Sequence, residues 1–272
     1  MIKVALIQLR TQARLDAARD QLTPLLERAA KSGAHLVATP EGTNILQRDR
    51  ERFDEDALLE DDAAATAWFS EQAKVYGITL LIGSALLRRR IGKSANRSLL
   101  FGPDGALIEH YDKIHLFDVN LGAGQESKES AAYEPGTRAV VADTALGKLG
   151  LTICYDVRFP ALYRDLAKAG AQIIAVPAAF TAPTGKAHWH ALLRARAIET
   201  GAYIIAPAQG GRHEDGRTTF GHSLMVAPWG EIFAELNHDE PGILVAGLNL
   251  DKVTEARAKI PCLTHDRIYS AP

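Results

Sequence analysis

The feature that most constrains the fold is an alternation, along the whole chain, between short aliphatic runs and longer amphipathic segments. Short aliphatic runs are typical of buried strands, whereas apolar residues at every third or fourth position predict helices. We predict strands at 2–9, 34–39, 78–86, 96–101, 107–112, 138–142, 149–153, 172–177, 202–207, 222–227 and 243–249. Helices are predicted at 12–32, 61–76, 160–170 and 186–200. This pattern indicates an α/β protein with too many strands for one small sheet.

The composition excludes some partners without choosing a function. The 272 residues are 47% hydrophobic and contain neither a linker nor a low-complexity tract, so we expect one domain over 1–272. A net charge of −2 gives no electrostatic reason to expect nucleic acid as a partner. No apolar stretch approaches the ~20 residues of a membrane helix. Two cysteines, Cys154 and Cys262, cannot form a disulfide framework, which favours a cytoplasmic protein.

Two long polar connections lack any regular period. The segment 115–137 is too long for an ordinary connection in a compact domain, so we interpret it as a loop beside the active site. The segment 42–59 is rich in charged residues and fits either a solvated surface loop or a lid.

Three residues that could carry chemistry follow predicted strands directly. Glu41, Lys113 and Cys154 stand where open α/β sheets place their sites, and a carboxylate, an amine and a thiol at one rim would supply a base, a cation and a nucleophile. A lone cysteine after an apolar strand is more often a buried packing residue. The polar run 155–160 after Cys154 instead predicts a turn into a helix, where the thiol would be exposed and the helix dipole would favour a thiolate.

Other catalytic motifs are absent from the sequence. It contains no G-x-S-x-G elbow, no phosphate-binding glycine loop and no H-E-x-x-H zinc motif. His188 and His190 flank Trp189, but two histidines without a third ligand are a weak metal signal. We therefore predict neither a metal site nor a cofactor.

Four runs in this sequence resemble the motifs of the nitrilase superfamily of carbon–nitrogen hydrolases. They are 40–42 (Pro-Glu-Gly), 113–118 (Lys-Ile-His-Leu-Phe-Asp), 129–136 (Glu-Ser-Ala-Ala-Tyr-Glu-Pro-Gly) and 154–160 (Cys-Tyr-Asp-Val-Arg-Phe-Pro), in the order of that family. The resemblance implies a four-layer α-β-β-α sandwich that forms a homodimer. It also implies an enzyme whose partners are a small-molecule amide and water.

The resemblance further implies a role for each motif residue. Glu41 would accept the proton of the Cys154 thiol and later activate water. Lys113 and the backbone N–H of Tyr155 would form the oxyanion hole. Glu129 would hold Lys113 or the substrate nitrogen in position. The product of the first step would be a thioester of Cys154.

Further runs are similar to the branch that contains ω-amidase and deaminated glutathione amidase. They are 185–190, 192–200, 221–223 and 228–230, and the run 208–214 (Ala-Gln-Gly-Gly-Arg-His-Glu) favours the deaminated glutathione enzymes. Substrates of both enzymes are small anionic keto-acid amides, so the pocket should contain cations. The candidates are Arg158, Lys186 and Arg212, with Phe180 and Thr181 as further pocket residues.

Three alternatives remain open at this point. The chain could be an ω-amidase acting on α-ketoglutaramate or succinamate, a nitrilase acting on a C≡N bond, or a non-catalytic binding subunit with the same fold. The complete set of Glu41, Lys113, Glu129 and Cys154 argues against the binding subunit.

Overall fold

The structure, a computed structural model, describes residues 1–122 and 126–270, without the side chains of 63–65. Its first elements are β1 (Ile2–Gln8), α1 (Leu15–Lys31), β2 (Leu36–Ala38), α2 (Arg50–Asp56), α3 (Ala63–Tyr76), β3 (Thr79–Leu87), β4 (Ala95–Phe101), β5 (Leu107–Asp112), β6 (Asp118–Asn120) and β7 (Glu126–Lys128). They are followed by β8 (Val140–Thr144), β9 (Gly147–Leu151), α4 (Pro160–Lys168), β10 (Ile173–Ala175), α5 (Ala182–Thr200), β11 (Tyr203–Ala206), β12 (Gly210–Arg212), β13 (Thr218–Phe220), β14 (Leu224–Val226), β15 (Ile232–Glu235), β16 (Gly242–Leu248) and α6 (Asp251–Lys259).

Most strands form two six-stranded sheets. The first sheet has the order β16-β1-β2-β3-β4-β5, and the second has the order β15-β14-β11-β10-β9-β8. Strands β1, β2 and β3 run parallel, as do β9, β10 and β11, whereas the outer strands pair antiparallel. The three central strands of each sheet are therefore parallel, and their carboxyl ends lie at the same edge of the sheet.

Alternation of side chains along β1 shows how the layers are stacked. Val4 and Leu6 belong to the core shared with the second sheet, while Ala5 and Ile7 belong to the core under α1 and α3. Both faces of this strand are buried, so its sequence is apolar on both faces rather than at every second position. Helices α4 and α5 cover the far face of the second sheet. The predicted four-layer α-β-β-α sandwich is thereby confirmed.

Sequence signals set the ends of the covering helices. Pro160 begins α4, where its missing N–H leaves no helical hydrogen bond unmade. Gly201 ends α5 in the left-handed conformation with φ of 58°, which a glycine adopts without the penalty of a Cβ. Asp49 caps α2 by accepting hydrogen bonds from the N–H groups of Glu51 and Arg52.

Every predicted strand and helix is present, with boundaries that differ by a few residues. The sequence did not predict α2, α6 or the short strands β6, β7, β12, β13 and β15. The segment 115–137 contains the β6–β7 hairpin, of which residues 123–125 lie outside the described part. Within the described ranges, none of the helices is long and apolar enough to cross a membrane.

Candidate active site

Strand ends from both sheets meet at one cavity. Glu41 follows β2 and Lys113 follows β5, both in the first sheet, while Cys154 follows β9 in the second sheet. Strands β2 and β5 point the same way, because β2, β3, β4 and β5 are related by one parallel and two antiparallel pairings. The carboxylate of Glu41 and the ammonium of Lys113 therefore lie at the same edge of the first sheet, close to the thiol of Cys154.

A sharp turn presents Cys154 to this cavity. Its φ of 49° lies in the left-handed region, which is rare for a residue other than glycine. The Cys154 N–H donates to the carbonyl of Pro177 at 2.8 Å, and a 3₁₀ helix begins at Cys154 and ends at Arg158. Strain at a reactive residue persists only where surrounding contacts hold it.

Asp156 supplies those contacts. Its carboxylate is fully buried and accepts four hydrogen bonds. The donors are the Ile153 N–H at 2.8 Å, the Tyr111 hydroxyl at 2.7 Å, the His115 N–H at 3.0 Å and the His115 ring Nδ1 at 2.7 Å. One carboxylate thus connects the cysteine turn with the segment that carries Lys113.

The Lys113 ammonium lies between two carboxylates. Its Nζ is 2.8 Å from Oε1 of Glu41 and 2.8 Å from Oε2 of Glu129, and the lysine side chain is only 2% exposed. A buried charge requires such partners, since an unpaired one would cost several kcal/mol. The group has one positive and two negative charges, so a further cation or a shared proton would be stabilised beside it.

Amide groups fix the orientation of both carboxylates. The side-chain amide of Asn96 donates to Glu41 at 2.9 Å and to Glu129 at 3.1 Å. The backbone N–H of Ala179 donates to the second oxygen of Glu41 at 2.9 Å, and the N–H of Phe117 donates to Glu129 at 2.6 Å. Glu41 therefore has little freedom to turn away from the thiol.

Burial and neighbouring charges set the protonation of this group. Burial alone raises the pKa of Glu41, but the Lys113 ammonium and hydrogen bonds from Lys113 and Cys154 reverse that effect and lower it. Burial lowers the pKa of Lys113, yet the carboxylates of Glu129 and Glu41 raise it well above its usual value. The resting site therefore contains an ionised Glu41 and a charged Lys113.

The expectation that Cys154 is an exposed thiolate is wrong. The residue is only 7% exposed, and burial together with the negative charge of Glu41 raises the pKa of its thiol well above the usual value. Any dipole of the short 3₁₀ helix is outweighed by these two effects. The thiol is neutral at rest and lies beside the ionised carboxylate of Glu41, which is therefore the nearest group that could accept its proton.

These residues lie at the wall of a cavity of about 660 Å³. That volume is in the usual range for a small-molecule site. The wall includes Glu41, Lys113, Glu129, Cys154 and the predicted residues Tyr155, Phe180 and Thr181. Much of the segment 115–137 lines it, as do Leu46, Gln47, Arg48 and Arg50 from the segment 42–59, which is consistent with a loop at the site rather than a distant surface loop.

Three predicted cations are not part of the described cavity wall. Arg158 lies over the rings of Tyr155 and Phe180 and its guanidinium is 3.2 Å from His188. Lys186 and Arg212 are exposed outside the cavity. Helix periodicity and strand ends could not reveal which way these long side chains point.

Two arginines from loops line the cavity instead. Arg48 forms no hydrogen bond or ion pair with any residue in the described ranges, whereas Arg217 is paired with Asp215 at 2.6 Å. Partial burial and the positive charge of Arg217 lower the pKa of Arg48. Repulsion between the two guanidinium groups would be relieved by an anion bound between them.

Sequence reasoning also missed Asn96 and Asp156. Asn96 lies in the polar first half of β4, just before Leu99, Leu100 and Phe101, and a polar amide in a buried strand is a signal that could have identified it. Asp156 is the third residue of the run that begins at Cys154, where a carboxylate commonly caps a helical turn.

The fold, the cysteine turn and the buried Glu-Lys-Glu group together define a carbon–nitrogen hydrolase. The sequence matches the carbon-nitrogen hydrolase family over residues 3–258, so the chain belongs to that family, and the resemblance to the nitrilase superfamily is confirmed.

Individual relatives agree with this assignment. A deaminated glutathione amidase from Synechocystis sp. is 39% identical over 266 residues, which cover 96% of either chain. Saccharomyces cerevisiae Nit3, a member of branch 10 of the nitrilase superfamily, is 30% identical with a TM-score of 0.87, and the match covers 98% of this chain and 97% of Nit3. The C. elegans NitFhit protein is 32% identical with a TM-score of 0.87, but the match to 98% of this chain spans only 65% of NitFhit.

Proposed function

We propose that this protein is an amidase that hydrolyses a small anionic keto-acid amide, deaminated glutathione in particular, through a thioester of Cys154. The observation that carries this proposal is the Lys113 ammonium held between two carboxylates beside a neutral thiol at the wall of the cavity. Burying three charged groups costs free energy of folding, and a non-catalytic scaffold would gain nothing in return.

In the first half of the reaction, Glu41 accepts the thiol proton while the sulfur of Cys154 attacks the amide carbon. The electron pair of the C=O bond moves to oxygen, and this oxyanion is stabilised by the Lys113 ammonium and the backbone N–H of Tyr155. The first N–H groups of a helix have no partner within it, which suits the position of Tyr155 at the start of the 3₁₀ helix. Collapse of the intermediate breaks the C–N bond, and the proton on Glu41 passes to the leaving nitrogen.

In the second half, Glu41 removes a proton from water, which attacks the thioester carbon. The same oxyanion donors stabilise the second intermediate. Its collapse breaks the C–S bond and releases the acid, and the proton on Glu41 returns to the sulfur of Cys154. Glu129 keeps Lys113 in position through both halves. Its two oxygens are 2.8 and 3.0 Å from the ammonium.

Arg48 and Arg217 replace the predicted cations as the proposed anion-binding residues. Arg48 lines the cavity and has no hydrogen-bond or ion-pair partner within the described chain, so a substrate carboxylate could pair with it without breaking an existing ion pair. The volume of about 660 Å³ favours a tripeptide-sized substrate such as deaminated glutathione over the smaller α-ketoglutaramate.

Two measurements test this function. Purified protein should release α-ketoglutarate from deaminated glutathione much faster than it converts α-ketoglutaramate, and the reverse ratio would assign it as an ω-amidase. Cys154→Ala and Cys154→Ser should remain folded and lose hydrolysis, and full activity in either variant would refute the mechanism. Cys262→Ser is the matched control, since this thiol donates to the carbonyl of Glu199 at the far end of α5.

We also propose that the protein is a cytoplasmic homodimer. Both cysteines are free, as a reducing compartment requires. Exposed Ile198 and Trp229 flank Gly230 on one side of the second sheet and present apolar area that a second copy could cover. Light scattering on the purified protein tests the dimer, and a monomer at micromolar concentration would refute it.

A further inference from the structure

Three ligand-type side chains converge outside the catalytic cavity. We propose that His190, His222 and Glu235 bind a divalent transition metal ion of the zinc class. His190 is on α5, His222 is in the turn before β14, and Glu235 ends β15, so the sequence separates residues that the fold brings together. The sequence indicated no metal site because His188 and His190 offered no third ligand.

The geometry is close to that of a coordination site. Nε2 of His190 is 2.7 Å and Nδ1 of His222 is 3.2 Å from the same oxygen of Glu235. The ligand atoms all lie within 4.8 Å of one another. Ligands about 2.1 Å from a tetrahedral zinc ion are about 3.4 Å apart, so each imidazole nitrogen needs to move away from that oxygen by less than about 1 Å.

The chemistry of the three ligands also suits zinc. Two neutral imidazoles and one carboxylate are a known zinc donor set, and they partly neutralise the charge of the ion. His190 would bind through Nε2 and carry its proton on Nδ1, while His222 would bind through Nδ1 and carry its proton on Nε2. Side-chain exposures of 35% for His190, 25% for His222 and 17% for Glu235 leave room for water as the fourth ligand.

Neighbouring groups hold the two imidazole rings in place. The His222 ring is stacked on Phe220 with 4.2 Å between centroids, and the His190 ring meets the same phenyl ring edge-on. The carbonyl of His222 accepts a hydrogen bond from the indole N–H of Trp189 at 2.9 Å. The His222 backbone has φ of 55°, a left-handed conformation that costs energy for a residue with a Cβ. Ligands fixed in this way lose little freedom when the ion binds.

The proposed metal site is separate from the catalytic residues. His190, His222 and Glu235 are not among the described residues of the cavity wall, which contains Cys154. A bound ion would connect α5 to the β14–β15 hairpin beside Phe220, which follows the cavity residues Thr218 and Thr219 on β13. We therefore expect the ion to stabilise the fold without taking part in hydrolysis.

Metal titration tests the site directly. Protein stripped with a chelator and dialysed is titrated with Zn²⁺ by calorimetry, and with Co²⁺ by visible absorption. We expect one equivalent of each ion, a tetrahedral Co²⁺ spectrum and a rise in Tm with Zn²⁺. His190→Ala and Glu235→Gln should lose all three effects. His188→Ala is the matched control. His188 is on α5, as His190 is, but its ring contacts Arg158, so this variant should bind the ions like the wild type.

Several outcomes would overturn the proposal. They are no binding by the wild-type protein, equal binding by wild type and His190→Ala, or loss of binding in His188→Ala alone. The Co²⁺ spectrum of the wild type reports on its ligands even if a variant fails to fold, and an octahedral spectrum would also count against the site. Because Cys154 needs no metal, chelation should leave amide hydrolysis intact, so a failure of this proposal is distinguishable from a failure of the proposed function.

Discussion

Replacing Asp156 with asparagine tests whether one buried carboxylate holds the cysteine turn against the Lys113 segment. Asp156 accepts two hydrogen bonds at each oxygen, from His115 at one and from Ile153 and Tyr111 at the other. An amide of the same shape accepts at its oxygen but donates at its nitrogen. The histidine ring or the tyrosine hydroxyl can adapt by accepting, but a backbone N–H cannot.

The expected loss in the free energy of unfolding follows from the number of donors that Asp156 accepts. Either orientation of the introduced side-chain amide would leave one buried backbone N–H unpaired, that of His115 or that of Ile153, at a cost of about 1–3 kcal/mol. The remaining bonds also lose the strengthening that a charged acceptor provides. We expect Asp156→Asn to lower the free energy of unfolding by about 3 kcal/mol, which corresponds to roughly 5 °C in Tm for a domain of this size.

Activity should fall with stability, for a separate reason. A displacement of Cys154 of about 1 Å relative to Lys113 costs on the order of a hundredfold in rate. Because Asp156 is not part of the described cavity wall, kcat should fall while KM changes little.

Urea unfolding and steady-state kinetics on the folded variant measure both effects. Asp49→Asn is the control, because Asp49 caps α2 and asparagine is an equally good cap, so stability should change by less than about 0.5 kcal/mol. An Asp156→Asn protein with wild-type stability and kcat would refute this account of the turn.

Three further perturbations address the rest of the fold and site. Lys113→Met should abolish hydrolysis and destabilise the protein by about 3–5 kcal/mol in urea unfolding, because two buried carboxylates lose their shared cation. Gly83→Ala should lower stability by about 3 kcal/mol in the same assay, since a Cβ there would lie 1.9 Å from the carbonyl oxygen of Thr39. Burial lowers the pKa of His213 to about 4. The unfolded chain therefore binds the proton more tightly, so about 3 kcal/mol of stability present above about pH 6.5 should be lost as pH falls toward about 4, and His213→Gln should flatten that part of the unfolding profile.

The catalytic candidates could be predicted because their positions depend on strand ends. Glu41 follows β2, which is apolar and buried on both faces, and Lys113 follows β5, a partly exposed strand that begins with Leu107 and Ile108. In both cases the sequence shows where the strand ends. Cys154 was placed in the same way, although its ionisation depends on burial and on Glu41, which a linear sequence does not reveal. Their roles in catalysis remain predictions until the variants are measured.

The anion-binding candidates could not be predicted by this reasoning. Arg48 and Arg217 come from connections without periodicity, and the direction of a long side chain on a loop depends on contacts from elsewhere in the fold. Arg158, in contrast, lies within the motif that begins at Cys154, yet it is held against the rings of Tyr155 and Phe180. Proximity along the chain was a poor guide to proximity in the cavity.

The short elements were missed for a related reason. The strands β12 and β13 have three residues each, too few for a pattern of alternation, and α2 has seven residues, most of them charged. Such elements are formed by tertiary contacts rather than by local preference.

The distribution of the catalytic candidates over two sheets has a consequence for folding. A partly folded chain that has formed only the second sheet contains the thiol without its carboxylate, and one that has formed only the first contains the carboxylates and lysine without a thiol. Turnover can therefore begin only after the two sheets have packed face to face. In a refolding experiment, the recovery of amide hydrolysis should lag behind the recovery of secondary structure and should report the final docking of the two halves of the sandwich.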